Sequence, residues 1–212
     1  MTITRFERTK KGRCSLFVDD EFQFTVHPEI FSGSHLKAGD SISTGELQAL
    51  YAATQQRDAK DQALKLLANR SYSKKALQDK LIQKGYEGEI AQATAQRMEE
   101  LGLIDDHAYA QRLAADLFRL KQFASDRVAQ ELLRRGVDRE LADEIIAPYR
   151  EDPGQDPRHC VLQYLTRRCK GDIADEKIRR KLVNALQRLG YSYEDIRGGI
   201  SDYIQWLEEA TD

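Results

Sequence analysis

The chain has 212 residues, 41% of them hydrophobic and 32% charged, with a formal net charge of −2 at pH 7. That much apolar material builds packed cores and excludes wholesale disorder. The near-neutral balance argues against a protein whose whole task is coating duplex DNA, which would be strongly basic. Three cysteines exclude a disulfide framework and fit a reducing compartment.

The N-terminus, Met1-Thr-Ile-Thr-Arg5, carries no apolar secretion core, and no apolar run approaches membrane-spanning length. A soluble, cytoplasmic protein is expected. In residues 1–43, Cys14, Leu16 and Val18 alternate with Arg13, Ser15 and Phe17, and Phe22, Phe24 and Val26 alternate with Gln23 and Thr25. Period-two alternation of this kind reads as strands. Lys11-Gly12 and Asp19-Asp20 supply the turns. An antiparallel meander over Thr2–Thr9, Arg13–Val18 and Phe22–Val26 follows, and so small a sheet needs a packing partner. His27-Pro28, Gly33 and Gly39-Asp40 read as loop.

Ser43-Thr-Gly-Glu46 has capping-box spacing and starts a helical stretch to about Ala68. The polar segment Gln55–Asp61 is either part of one helix or a break between two. Ser73 then caps a helix over Lys74–Lys84, and a second helix runs Gly88–Leu101 to Gly102. Asp105 caps Asp106–Gln122. Helices over Asp126–Arg135 and Arg139–Ala147 follow, with Pro148 near the end of the second. Glu151–Asp156 is the clearest linker, and Pro157 suits a first helical position. The remaining helices read Pro157–Cys169, Asp175–Leu189 and Tyr193–Leu207, the last capped by Ser192.

One stretch recurs: Leu77, Leu81 and Gly85; Val128, Leu132 and Gly136; Leu182, Leu186 and Gly190. In each, two apolar residues and a glycine fall at i, i+4 and i+8, about fifty residues from the next copy. Four-residue spacing puts both apolar side chains on one helix face, and the glycine enters a left-handed C-terminal cap. Apolar anchors follow at Ile90, Leu141 and Ile196. The fold expected is mainly α: three tandem three-helix repeats in an elongated curved array, preceded by a small β-meander. The domain divisions are 1–43, 44–102 with the lead-in helix, 103–150 and 157–208.

No catalytic constellation stands out, since phosphate-loop, dinucleotide, zincin and nucleophile-elbow motifs are all missing. Neither a cofactor nor a metal is implied. Asp105-Asp106-His107 opens a helix, where carboxylates cap amides. His27, His35 and His159 have no ligand partners at useful spacing and read as surface histidines. Cys160 and Cys169, nine apart on a helix, fall on roughly opposite faces. Tyr86 and Tyr191 directly follow cap glycines and are expected to pack back on the preceding helix.

The basic residues carry the binding expectation. Lys74, Lys75, Lys80 and Lys84 fall on the first middle helix, Arg127, Arg134 and Arg135 on the second, and Arg179, Arg180, Lys181 and Arg188 on the third. Arg167, Arg168 and Lys170 end the helix before it. If the repeats stack alike, they form a discontinuous basic track able to meet phosphates or an acidic protein groove. The plainer account is solvated charge, with Lys84, Arg134, Arg135 and Arg188 offsetting helix dipoles in last turns.

The ordered landmarks are Ser73-x3-Leu77-x2-Lys80-Leu81-x2-Lys84-Gly85-Tyr86, Leu103-Ile-Asp105-Asp-x-x-Tyr109-Ala110, Arg127-Val-x2-Glu131-Leu132-x2-Arg135-Gly136-Val137 and Lys181-Leu182-x3-Leu186-x-Arg188-x-Gly190-Tyr191-Ser192 with Ile196. This set resembles the bacterial recombination regulator RecX family over about residues 60 to 207. Lys121-Gln-Phe-Ala124 departs from it, because the family often has a glycine-bearing basic turn there. The resemblance implies a monomeric, non-catalytic protein that lies in the groove of the RecA recombinase filament. It further implies inhibition of filament extension, ATP hydrolysis, strand exchange and co-protease action, with weak direct DNA contact. The alternative is a helix-turn-helix-like nucleic-acid-binding protein, which would bind free duplex with strong salt dependence. A third reading is a scaffold that only joins proteins.

Overall fold

The computed structural model describes residues 1–10, 12–169 and 172–210, so Lys11 and Lys170 lie outside the described residues. The chain folds as two units, Met1–Ile104 and Asp105–Asp212.

In the first unit the expected meander is present as β1 (Ile3–Arg8), β2 (Cys14–Val18) and β3 (Glu21–Val26), antiparallel in the order β1-β2-β3. Asp19 and Asp20 both hold positive φ, as a tight two-residue hairpin turn requires. The alternating residues divide by face with one exception. Ile3, Leu16, Val18 and Val26 form a buried cluster with Ile42, while a register shift between Leu16 and Phe17 sets Phe22 opposite Phe17 and leaves it exposed. The packing partner is α2 (Thr44–Asn69), whose Leu47 and Leu50 join that cluster and whose Tyr51 meets Phe24 edge-on at 5.0 Å.

The segment expected as loop instead contains α1 (Pro28–Ser34). Its helix start is made by His27, whose Nδ1 accepts from the Glu29 amide, with Pro28 at the first helical position. His27 is also not a surface residue. It is 8% exposed, and since Nδ1 is an acceptor, Nε2 donates to Asp61 Oδ2 at 3.1 Å. Asp61 belongs to the polar stretch of α2, which is one unbroken helix. That stretch is the sheet's anchor: Arg13 pairs with Asp58, and Arg57 with Glu29 and Asp61. The Ser43–Glu46 capping box at the start of α2 forms in both directions.

Beyond α2 come α3 (Lys74–Gln83) and α4 (Gly88–Glu100), with Ser73 capping α3 as expected. Leu77, Leu81, Ala91, Ala95 and Met98 bury against Ala63 and Tyr72. Removing a leucine of this kind costs about 2–5 kcal/mol, because the cavity left behind relaxes only partly.

The second unit holds two helix triples. The first is α5 (Asp106–Asp116), α6 (Ser125–Arg134) and α7 (Arg139–Glu151). Asp105 caps α5, its Oδ1 accepting from the Ala108 amide at 2.8 Å, so that acidic cluster does cap a helix. The expected helix to Gln122 loosens after Asp116 into a π turn, Leu117–Lys121, and stops where Gln122 turns left-handed at φ 55°. α7 does not end at Ala147 but runs through Pro148 to Glu151. Proline removes only one amide so near the end, and the following Tyr149 stacks on Phe118 at 4.2 Å, which holds the last turn.

A single 3-10 turn, Pro153–Gln155, leads to the second triple: α8 (Pro157–Arg168), α9 (Glu176–Leu189) and α10 (Tyr193–Glu209). α10 lies close on α8 because Gly199 has no side chain; a Cβ there would run into Val161. The six apolar residues of the recurring stretch are all buried, from 0% to 8% exposed. Ile196 is buried as well, while Leu141 and Ile90 are partly so.

Candidate functional site

The basic residues sit on helices that end alike. In α3, α6 and α9 the glycine amide bonds to Ile82, Leu133 and Gln187 carbonyls, and the next amide reaches Leu81, Leu132 and Leu186 at 3.3, 3.1 and 3.2 Å. These are the paired closures of a Schellman motif. They fix where the last-turn cations stand. The residue before the glycine is Lys84 in α3 and Arg135 in α6, whereas Leu189 takes that place in α9.

On α6 the two arginines are held from inside. Glu131 is 8% exposed, and its Oε2 accepts from Arg134 Nε at 2.8 Å while Oε1 accepts from Arg134 Nη2 at 2.6 Å and Arg135 Nε at 3.1 Å. The Arg134 fork is therefore bidentate on the carboxylate. Those bonds, Arg134's first, hold the Glu131 carboxyl below its ordinary range and outweigh the opposing effect of burial. The triad carries one net positive charge, aimed at solvent from a fixed place. Glu131 has no role in the sequence reading, yet its position three and four residues before the arginines is the signal that finds it.

On α3 the cations are answered locally. Lys74 Nζ lies 2.8 Å from Glu99, Lys75 Nζ 2.8 Å from Asp79, and Lys80 Nζ donates to Gln83 at 2.9 Å. Lys84 is exposed and has no ion pair among the described residues. Exposed pairs of this sort add little stability, but they lower the field a partner would feel.

The remaining basic residues lie in the second unit and form a different group. Arg168, Arg179, Arg180 and Arg188 are exposed and make no ion pair among the described residues, and Arg127 lies over the Phe123 ring at 5.7 Å. Arg127 also packs its Cβ where a Gly190 side chain would be, which brings it to the end of α9. That contact belongs to a junction between the two triples: the Ala124 amide donates to the Leu189 carbonyl at 3.0 Å, and Tyr191 Oη donates to the Gln122 carbonyl at 3.1 Å. Arg167 is apart from these, on the wall of a cavity beside the junction.

Cys160 also faces that cavity. Burial pushes its thiol up, against a hydrogen bond with Tyr191, and burial pushes the Tyr191 phenol well above its ordinary range. A thiol kept protonated is a poor nucleophile. Tyr191 is buried and Tyr86 joins the α3–α4 core, both as expected of residues behind a cap glycine. Among the described residues no group of His, Cys, Asp or Glu could hold a metal ion, and no helix is long and apolar enough to cross a membrane.

Residues 59–98 match the model of the RecX first three-helix domain, and residues 105–146 that of the RecX second three-helix domain. The regulatory protein RecX of Trichlorobacter lovleyi is 39% identical over 140 residues, covering 64% of this chain and 88% of that protein. The regulatory protein RecX of Clostridium botulinum (strain Alaska E43) is 24% identical over 207 residues, 96% of this chain and 97% of the relative. A crystal structure of a regulatory protein RecX matches with a TM-score of 0.59 at 19% identity, covering 94% of this chain and 98% of that one. RecX from Lactobacillus salivarius matches at 0.55 and 19% identity, over 72% and 99% of the two chains. At that identity the structural likeness speaks for the fold alone.

Proposed function

We propose, from the premise that this chain belongs to the RecX family of regulatory proteins, that it binds the RecA recombinase and its DNA filament as a non-catalytic inhibitor. It acts on filament extension, and through that on ATP hydrolysis, strand exchange and co-protease activity. The observation that supports this most is the pair of tandem segments matching the family's three-helix domains, each ending a middle helix in basic residues before a glycine.

The surface suits a composite target. The arginines of α8 and α9 supply a field for phosphates, while the Glu131-braced pair offers a fixed geometry that a protein carboxylate can meet. A formal charge of −2 overall disfavours indiscriminate coating of DNA.

The test is ATP hydrolysis by RecA on single-stranded DNA, titrated with this protein, beside its binding to the same DNA alone. Inhibition well below the concentration that saturates bare DNA is expected. Inhibition only at saturation would mean competition for the strand and would favour the nucleic-acid-binding alternative. Simultaneous charge reversal at Arg134, Arg135 and Arg168 should weaken inhibition; full activity in that variant would sink the site assignment.

A further inference from the structure

The cavity beside the junction in the second unit has a volume of about 170 Å³. Its wall is polar and comes from three places: Arg119 and Gln122 at the end of the π turn, Gln155 on the 3-10 turn, and Gln163 and Arg167 on α8, with Tyr191 behind. Two arginines and three glutamines therefore line one small space, beside Phe118, Phe123 and Cys160. Arg167 makes no ion pair among the described residues. Arg119 has only a long contact to Asp116, 3.5 Å from Nη2 to Oδ1. Gln163 Nε2 touches His159 Nε2 at 2.8 Å.

We propose that this cavity is a binding site for a phosphate group, clasped between the Arg119 and Arg167 guanidiniums. Donors converge from three elements, which suits a tetrahedral oxyanion with acceptors on every side better than a planar carboxylate. The size agrees. At a liquid share of about 30 Å³ per water, the space holds roughly five waters, enough for a phosphate group. The nearby carboxylates of Asp152 and Asp156 are turned to backbone amides, accepting from Gly154 and His159, each at 2.9 Å. Because the cavity adjoins the Ala124–Leu189 and Tyr191–Gln122 bonds, an occupant would brace the two triples against each other. The site stands independently of the inhibitory reading, since it needs no recombinase.

The test follows the arginine Nε and glutamine side-chain NMR signals of the full chain titrated with inorganic phosphate, ionic strength held constant with chloride. Saturable shifts at Arg119 and Arg167 are expected, with affinity falling about tenfold in Arg119→Gln or Arg167→Gln as one charged clasp is lost. Both side chains are exposed, so the fold should persist, and the exposed Arg139, away from the cavity wall, supplies the control: Arg139→Gln leaves binding unchanged. Shifts that do not saturate, or that survive the double substitution, would overturn the site. A second arm uses a ten-residue oligothymidylate. If its affinity falls with the same substitutions, the phosphate belongs to a nucleic-acid strand; if only inorganic phosphate binding falls, the site serves the free ion. Either result upholds the cavity as a phosphate site.

Discussion

The middle helices α3 and α9 share one sequence pattern and one cap, and differ in everything around it. Both bury their i and i+4 apolar residues and close with the same paired amide bonds. Gly85, at φ 95°, has open space where a side chain would go, whereas Gly190, at φ 97°, has Arg127 Cβ 2.5 Å from that point. The lysines of α3 meet Glu99, Asp79 and Gln83, while Arg179, Arg180 and Arg188 of α9 meet no carboxylate among the described residues. A repeat thus conserves what makes a helix stop and leaves its surroundings free to diverge. In α3 the glycine serves backbone conformation alone. In α9 it also makes room for a neighbour.

The largest effect should come from breaking that difference at the glycine. Gly85→Ala is expected to cost about 1–2 kcal/mol, the left-handed penalty alone, and Gly190→Ala about 3 kcal/mol with overpacking added, read by urea denaturation. Equal costs would mean Arg127 moves aside freely. Next come the charges. Arg179, Arg180 and Arg188 reversed together should weaken inhibition of RecA about tenfold, while reversing Lys74 and Lys75 should change it less than about threefold, since those charges are already paired. The opposite order would move the binding surface to α3.

A smaller effect lies at the turn before α6. Gln122 holds φ 55°, so Gln122→Gly should raise stability by up to about 1 kcal/mol by removing the steric cost, provided the Tyr191 bond to its carbonyl survives. The smallest concerns Glu131. Its folded carboxyl titrates below its ordinary value of 4.5, so the contribution is full above that value and fades as pH falls through the folded pKa. Wild type should therefore lose its stability margin over Glu131→Gln only in that acid window, seen as converging denaturation midpoints. A margin unchanged down to pH 2 would mean the triad contributes no proton-linked stability.

Much of this was legible beforehand because it is local. Strand alternation at Cys14–Val18, the capping box at Ser43 and the cap glycines each express a rule spanning a few residues. What escaped depends on residues far apart. His27 reads as a loop histidine until Asp61, thirty-four positions on, comes within 3.1 Å. Helix α1 is only seven residues and contains Gly33, so nothing in its composition competes with loop. Gln122 holds a left-handed φ of 55°, the conformation glycine favours, and nothing in a glutamine's identity announces it. Of the basic residues, spacing located all and ranked none, because the rank depends on partners such as Glu99 and Glu131.

The hydrogen bond from the Ala124 amide to the Leu189 carbonyl bears on how such a chain could be lengthened or cut. One triple supplies the donor that finishes another triple's helix, and Tyr191 returns the favour at Gln122. Excising α8 to α10 would strip the entry to α6 of both contacts, and inserting a fourth triple at Glu151–Asp156 would have to reproduce them. The last six helices are therefore not interchangeable cassettes: they have to be duplicated, transplanted or lost together.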